Sequence, residues 1–332
     1  MGISLTEQLL NRADLSAQQA GDAVRYLLDP STSDIGRAAL LAAWRSKGYT
    51  GEELAGGVEA VLERSLRVDL TTPNLVDTCG TGGGPAGLNL STGAAIVAAA
   101  AGAKVAKHGN RSVSSTCGSA DVLEAWGVRL DADEALMRRQ MQAAGVTFLF
   151  APHHHPAFRA VGPVRKELGF RTIFNLMGPL SNPAGAPFRL VGVYDEAYLE
   201  PMAQALVHLG VQRAAVVHAA DGMDEVSPSV ATAFVWVENG NVRGGQWTPE
   251  DFGMEALPRE IYGPAESIAE ASQRLRDALA GGPAGAALVP NAAVTLVLAG
   301  VARDLKAGAE LARSVLADGT ALATLEALVA TE

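Results

Sequence analysis

Aromatic residues make up only 5% of this 332-residue chain, and cysteine occurs twice, at Cys79 and Cys117. Two sulfurs cannot build a disulfide framework and make a poor metal site on their own. Both are expected to be reduced and to pack as small apolar side chains. Basic residues are in deficit, 26 against 36 acidic, for a net charge of −10. A summed positive field is what nucleic acids and anionic membranes draw on, so neither is an expected partner. No run of eighteen or more apolar residues is free of polar interruption, and residues 1–12 lack the apolar core of a signal peptide; a cytoplasmic location is expected. The Gly-Lys-Ser/Thr ending of a nucleotide P-loop is missing too. The glycines at 80–84 do not fit the dinucleotide fingerprint, which sets nucleoside triphosphates and NAD aside.

What is present is globular: 48% hydrophobic residues in a length that allows two domains or one large one. Residues 3–67 carry apolar residues at helical spacing only (Leu5, Leu9, Leu10; Ala23, Tyr26, Leu27; Leu40, Leu41, Trp44; Leu54, Val58, Val61), with breaks at 14–16, 29–31 and 48–50. From Asn74 onward short β-rich runs at 74–79, 104–106, 147–150, 189–193 and 214–218 alternate with helical stretches, one of them over 155–168. That alternation predicts crossover units and a largely parallel sheet flanked by helices. Residues 230–247 read as a hairpin turning at Asn239-Gly240. Helices return at 267–280, 291–301 and 307–317.

Three neighbouring segments carry the chemistry. The strand at 74–79 runs into Gly80-Thr81-Gly82-Gly83-Gly84, where chain without Cβ can turn sharply and approach a ligand. Asn89, Ser91 and Thr92, all good capping residues, then open the apolar helix that includes 94–101. Its unpaired N–H groups and positive dipole end face the space of the glycine loop. A second hydroxyl-rich loop at 114–121 again precedes a helix (Val122, Leu123, Trp126), and Lys-His-Gly-Asn-Arg-Ser at 107–112 lies between the two loops. Glycine runs are often plain turns, but two helix N-termini with fixed cations between them suit a polyanionic phosphate ligand.

The residues that carry a family resemblance are Lys107-His108-Gly109-Asn110-Arg111-Ser112, Gly118-Ser119-Ala120-Asp121, Phe150-Ala151-Pro152 with His155-Pro156, Pro163-Val164-Arg165-Lys166-Glu167-Leu168-Gly169, and Arg171-Thr172-Ile173-Phe174-Asn175-Leu176 with Gly178-Pro179-Leu180 and Asn182-Pro183. In this order they resemble the anthranilate phosphoribosyltransferases, most closely over residues 70–230. The resemblance implies an α/β fold of the nucleoside phosphorylase and phosphoribosyltransferase kind: a small all-helical domain at 1–70, joined by helices near 165–185, and a larger α/β domain at 71–332 with a central, largely parallel sheet. It implies a homodimer and the third step from chorismate to tryptophan, in which phosphoribosyl pyrophosphate (PRPP) and anthranilate give N-(5-phosphoribosyl)anthranilate and pyrophosphate. By the same resemblance Gly80, Gly82, Gly83, Asn89, Ser91, Thr92, Lys107 and Ser119 bind PRPP. Gly80, His108, Asn110, His155 and Arg165 face anthranilate, and Asp224 and Glu225, with Ser91 nearby, hold Mg2+.

The chemistry points the same way. Cleaving the bond from C1 to pyrophosphate builds negative charge on the leaving group and cationic character on the ribose, so charge neutralisation and placement of the acceptor should dominate. Magnesium needs only one or two carboxylates besides phosphate oxygens. Taken alone, Asp224-Glu225 reads as two solvated surface acids; following the strand 214–218 on the loop at 221–223, it lies where ligands of such sheets bind. Arg165 can grip the acceptor's carboxylate with two parallel hydrogen bonds. The aryl amine needs no strong base, so no catalytic nucleophile is expected. His153, His154 and His155 are adjacent and cannot all point one way, which disfavours zinc.

Two features depart from the family pattern. Gly84 stands where Asp is usual, in a glycine loop one residue shorter than common, and Cys117 stands where Ser is frequent; the effect is expected on substrate affinity. Two other readings remain. A pyrimidine nucleoside phosphorylase of the same fold would use inorganic phosphate without the acid pair, and a catalytically silent nucleic-acid-binding relative should show basic helices.

Overall fold

The computed structural model describes residues 2–85, 87–111 and 117–331. Four helices come first: α1 (Gly2–Leu10), α2 (Ala17–Leu28), α3 (Asp34–Lys47) and α4 (Gly51–Leu62). Their starts are set by side chains. Ser16 with Gln19 and Thr50 with Glu53 form reciprocal caps on α2 and α4, and Ser33 caps α3. The fully buried Glu53 also accepts from the Leu15 N–H at 2.8 Å and Trp44 Nε1 at 3.1 Å, and pairs with Lys47 at 2.7 Å. A charge so enclosed is tolerable because its oxygens are partnered.

The rest of the chain builds a seven-stranded sheet. In chain order come β1 (Leu75–Gly80), α5 (Leu90–Ala100), β2 (Lys104–Gly109), α6 (Ser119–Ala125), α7 (Glu134–Ala144), β3 (Val146–Phe150), α8 (Ala151–His154), α9 (Gly162–Leu168), α10 (Ile173–Leu180), β4 (Phe188–Gly192), α11 (Leu199–His208) and β5 (Arg213–Ala219). The hairpin β6 (Thr232–Glu238) and β7 (Asn241–Trp247) follows, then α12 (Ile268–Leu279), α13 (Val289–Leu298), α14 (Leu305–Ala317) and α15 (Thr320–Ala330). The strand order is β3-β2-β1-β4-β5-β6-β7. The first five strands are parallel, and β6 and β7 are antiparallel. The hairpin turns on Asn239 and Gly240, both at positive φ (50° and 80°), as a tight two-residue turn with right-handed twist requires.

Alternation along the strands sends side chains to two cores. Val76, Val105, Leu190, Ala215 and Val217 pack with α5 and α12–α15, while Val191, Val193, Ala214, Val216, Val235 and Val237 belong to one apolar cluster with α1–α4 and α9–α11. The helical bundle therefore rests on the sheet through α9–α11.

Two local expectations change. The single helix expected over 155–168 is a 3₁₀ turn at Pro156–Ala160 followed by α9, because Pro156 and Pro163 each lack the N–H that an uninterrupted helix would use. The strand expected at 104–106 runs on to Gly109 along β3, which carries Lys107 and His108 into the sheet interior.

Candidate active site at the carboxyl edge of the sheet

β1 and β2 are neighbours and β5 lies beyond β4 in the same parallel set, so the loops that follow their carboxyl ends share one edge of the sheet and supply the polar groups. Gly82 and Gly83 adopt positive φ (68° and 88°), a region where a side chain is strained. Asn89 occupies the N-cap of α5 but makes no side-chain cap; its Nδ2 instead donates to the Cys117 carbonyl at 3.2 Å, tying the first loop to the start of α6. The capping role expected of Asn89, Ser91 and Thr92 is thus not realised, since the Ser91 N–H donates to Glu225 Oε1 at 2.9 Å. Residues 112–116, which include Ser112 and the start of the second loop, lie outside the described residues. At its end Gly118 caps α6, and the Gly118 N–H donates to Asp121 Oδ2 at 2.8 Å.

Asp224 and Glu225 lie within this cleft as enclosed groups with limited solvent contact, so the reading as solvated loop acids does not hold. Asp224 Oδ2 accepts the Gly82 N–H at 2.7 Å. Three glycines make room: a Cβ on Gly80 would lie 2.3 Å from Asp224 Oδ2, one on Gly192 1.6 Å from its carbonyl oxygen, and one on Gly84 3.0 Å from Oδ1. Burial raises the pKa of Asp224, against the Gly82 N–H and the Arg171 charge. Burial, followed by the adjacent Asp224 carboxylate, pushes Glu225 up to about 8. Two half-buried carboxylates on consecutive residues, held at one cleft by the Gly82 and Ser91 N–H groups, fit a divalent cation, which would favour the ionised form of both. Among the described residues no cluster of three or more His, Cys, Asp or Glu forms; magnesium, completed by waters and phosphate oxygens, does not require one.

Lys107 is buried, with Nζ donating to the Thr78 carbonyl and, at 3.4 Å, to Ser91 Oγ. Burial lowers its pKa, opposed by Cys79, Asp77, Glu225 and Asp224. Sequence reasoning passed over Asp77. The β1–β2 pairing stops at Val76–Val105, and beyond it Asp77 Oδ1 accepts the His108 N–H at 2.9 Å where a strand carbonyl would otherwise serve. Neither cysteine is in a disulfide, and burial raises the thiol of Cys79 to about 12 and that of Cys117 to about 11.

The wall expected to face the acceptor is a row of rings. His108 and His155 meet edge to face with centroids 5.1 Å apart, His155 stacks on Phe158 at 5.3 Å, Phe158 meets Phe174 at 5.3 Å, and the Arg165 guanidinium lies 5.3 Å from the Phe174 centroid. Both nitrogens of the buried His108 lack a hydrogen-bond partner, and those of His155 have none of good geometry. Burial, with neighbouring histidines, holds His108 well below its ordinary pKa and takes His155 to about 4, so both rings are neutral near pH 7. Arg165 forms no ion pair among the described residues. The one hydrogen bond of its guanidinium among the described residues is long, 3.5 Å to Asn175 Oδ1, and burial lowers its pKa. Asn110 is exposed, its Oδ1 turned back to the Arg111 N–H at 2.7 Å. The adjacent histidines diverge: His153 is exposed, His154 Nδ1 meets the Leu66 carbonyl at 2.9 Å, and His155 faces His108. Ser119 opens α6, its Oγ 3.4 Å from where a Cβ on Gly109 would stand.

Residues 3–65 match the glycosyl transferase family helical bundle domain, and residues 72–322 match the glycosyl transferase family a/b domain. The chain is 44% identical to the anthranilate phosphoribosyltransferase of Xanthobacter autotrophicus, over 97% of this chain and 95% of that one. A crystal structure of anthranilate phosphoribosyltransferase from Thermus thermophilus superposes with a TM-score of 0.91 at 40% identity, covering 98% of each chain. The Saccharomyces cerevisiae enzyme in complex with PRPP and Mg superposes with a TM-score of 0.88 at 27% identity, covering 99% of this chain and 97% of that one.

Proposed function

The chain belongs to the anthranilate phosphoribosyltransferase family, and from that premise we propose that the cleft between the glycine loop, the acid pair and the ring-lined wall binds PRPP and anthranilate and joins them. The reaction is a phosphoribosyl transfer of tryptophan biosynthesis. The bond from ribose C1 to the pyrophosphate oxygen breaks, the anthranilate nitrogen bonds to C1, and the amine proton leaves for solvent or pyrophosphate. The observation that carries this assignment is the meeting of Gly82, Ser91, Lys107, Asp224 and Glu225 in one cleft.

In this reading the backbone N–H groups of the glycine loop and of the α5 start, with Asn89, Ser91, Thr92, Lys107 and Ser119, hold the diphosphate and phosphate oxygens. Asp224 and Glu225, with Ser91 beside them, would hold Mg2+. When bound, the ion would offset the charge growing on the leaving group. Arg165 grips the acceptor's carboxylate, while Gly80, Asn110 and the neutral His108 and His155 bound its ring and amine. Placement and electrostatics then supply the acceleration, with no covalent step on the protein.

The domains divide at about residue 70, with α9 and α10 completing the helical part; the core that these two helices share with α1–α4 supports this. A homodimer in the cytoplasm completes the reading, to be tested by sedimentation and by fractionation. The activity is tested by anthranilate fluorescence, which should fall when PRPP and magnesium are added together and stay constant when either is omitted. A phosphorylase would instead cleave a pyrimidine nucleoside with inorganic phosphate.

A further inference from the structure

Arg171, between α9 and α10, has no role in the assignment above, yet it touches the glycine loop directly. Its Nη2 donates to the Gly83 carbonyl at 2.8 Å, and its guanidinium carbon lies 3.8 Å from the centroid of the Tyr194 ring. A Cβ on Gly83 would stand 2.0 Å from Arg171 Nη2, so this position requires glycine for the approach of the guanidinium as well as for its positive φ. Tyr194 grips the same loop through its backbone: its N–H donates to Thr81 Oγ1 at 2.9 Å, and the Thr81 N–H donates to the Gly192 carbonyl at 2.9 Å. The Tyr194 ring also meets Tyr198 at 5.3 Å, and the Tyr198 hydroxyl accepts from Arg45 Nη1 at 2.6 Å. A line of contacts thus runs from α3 of the helical bundle to the glycine loop.

We propose that Arg171, stacked on Tyr194, is a positioning residue that pins the Gly83 carbonyl and so keeps the loop in the conformation that turns the Gly82 N–H into the cleft. A loop of consecutive glycines has little conformational preference of its own. Without a restraint it would spread over many backbone states, and a ligand that needs its N–H groups would have to order it on binding. The guanidinium suits the task because one planar group can stack on a ring and donate along its edge, which an ammonium cannot do. The proposal rests on the cleft being the PRPP site, but the restraint itself exists in the ligand-free protein and can be measured there.

Hydrogen exchange of the ligand-free protein provides the test. In Arg171→Ala and Tyr194→Leu the amides of residues 81–84 should exchange about tenfold faster than in the wild type, while those of α2 and α4 keep their rates. Arg171→Lys should fall between, and Tyr194→Phe, which retains the ring, should lie nearer the wild type than Tyr194→Leu. In steady-state kinetics Arg171→Ala should raise the PRPP KM more than the anthranilate KM. Wild-type exchange at 81–84 in Arg171→Ala would overturn the proposal, whether or not KM moves, since a change in KM alone would mean that Arg171 touches the ligand itself. A wild-type protein that turns over no PRPP would contradict the assigned reaction and leave the exchange result standing.

Discussion

The carboxylate of Asp224 and the backbone N–H of Gly82 form a 2.7 Å hydrogen bond across the cleft, and Glu225 makes the equivalent contact with the Ser91 N–H at 2.9 Å. The acid pair thus occupies donors that the diphosphate is assigned. On the proposed assignment Asp224 and Glu225 would hold the cation and the Gly82 and Ser91 N–H groups would be released to phosphate oxygens.

Replacing Asp224 by Asn and Glu225 by Gln together should abolish magnesium-dependent turnover, with a loss of about 10³-fold or more in kcat/KM. The amide oxygens can still accept from Gly82 and Ser91, so the melting temperature should change little. Assays over a magnesium titration, paired with thermal melts, check both halves. A double variant that keeps most of its magnesium-dependent rate contradicts the metal assignment.

The raised pKa of Glu225 fixes a pH dependence. The unfolded side chain loses its proton near 4.5, whereas the folded one holds it up to about 8. Between those values the folded state binds the extra proton, so the contribution of Glu225 to stability falls as pH rises through the window. Chemical denaturation of the metal-free protein from pH 5 to 8.5 should show a steeper loss for wild type than for Glu225→Gln, and magnesium should reduce that loss. Parallel curves for the two proteins would rule out the shift.

Arg165→Ala should weaken anthranilate binding by about 2–5 kcal/mol, much of it from leaving the acceptor's carboxylate unpaired. The PRPP KM should stay close to wild type. Lysine at this position should restore only part of the loss, because a point charge on a flexible stem cannot reproduce a planar two-bond grip. Kinetics with both substrates varied would show this graded series, and an unchanged anthranilate KM and kcat/KM in Arg165→Ala would exclude the role.

Gly84→Asp, which restores the usual family residue, should raise the PRPP KM with a smaller effect on that of anthranilate. A Cβ at this position would lie 2.8 Å from the Gly222 carbonyl oxygen and 3.0 Å from Asp224 Oδ1, so the new carboxylate would crowd an acid already raised in pKa. Improved PRPP affinity would show instead that the loop can rearrange to use the acid.

Local signals are most legible where one short motif dictates backbone geometry. Asn239-Gly240 marks the hairpin because only such residues take two positive φ angles in succession, and β-rich runs alternating with helices foretell the parallel sheet. The break in the helix at 155–168 is legible in Pro156 and Pro163. Pairings made only by the fold left no local trace. Asp77 takes the His108 N–H across strands that part, and Arg171 meets Tyr194 from a different part of the chain. The start of α5 is uncapped by its own side chain for the same reason: the acid that takes the Ser91 N–H lies 134 residues further along the chain, in the loop after β5.

The most direct measurement is a crystal structure with PRPP, magnesium and an anthranilate analogue bound. The account predicts diphosphate oxygens on the Gly82 and Ser91 N–H groups, magnesium on Asp224 and Glu225, and the analogue's carboxylate on Arg165 beside His108 and His155. Diphosphate bound elsewhere, with Asp224 still on Gly82 and Glu225 still on Ser91, would contradict it.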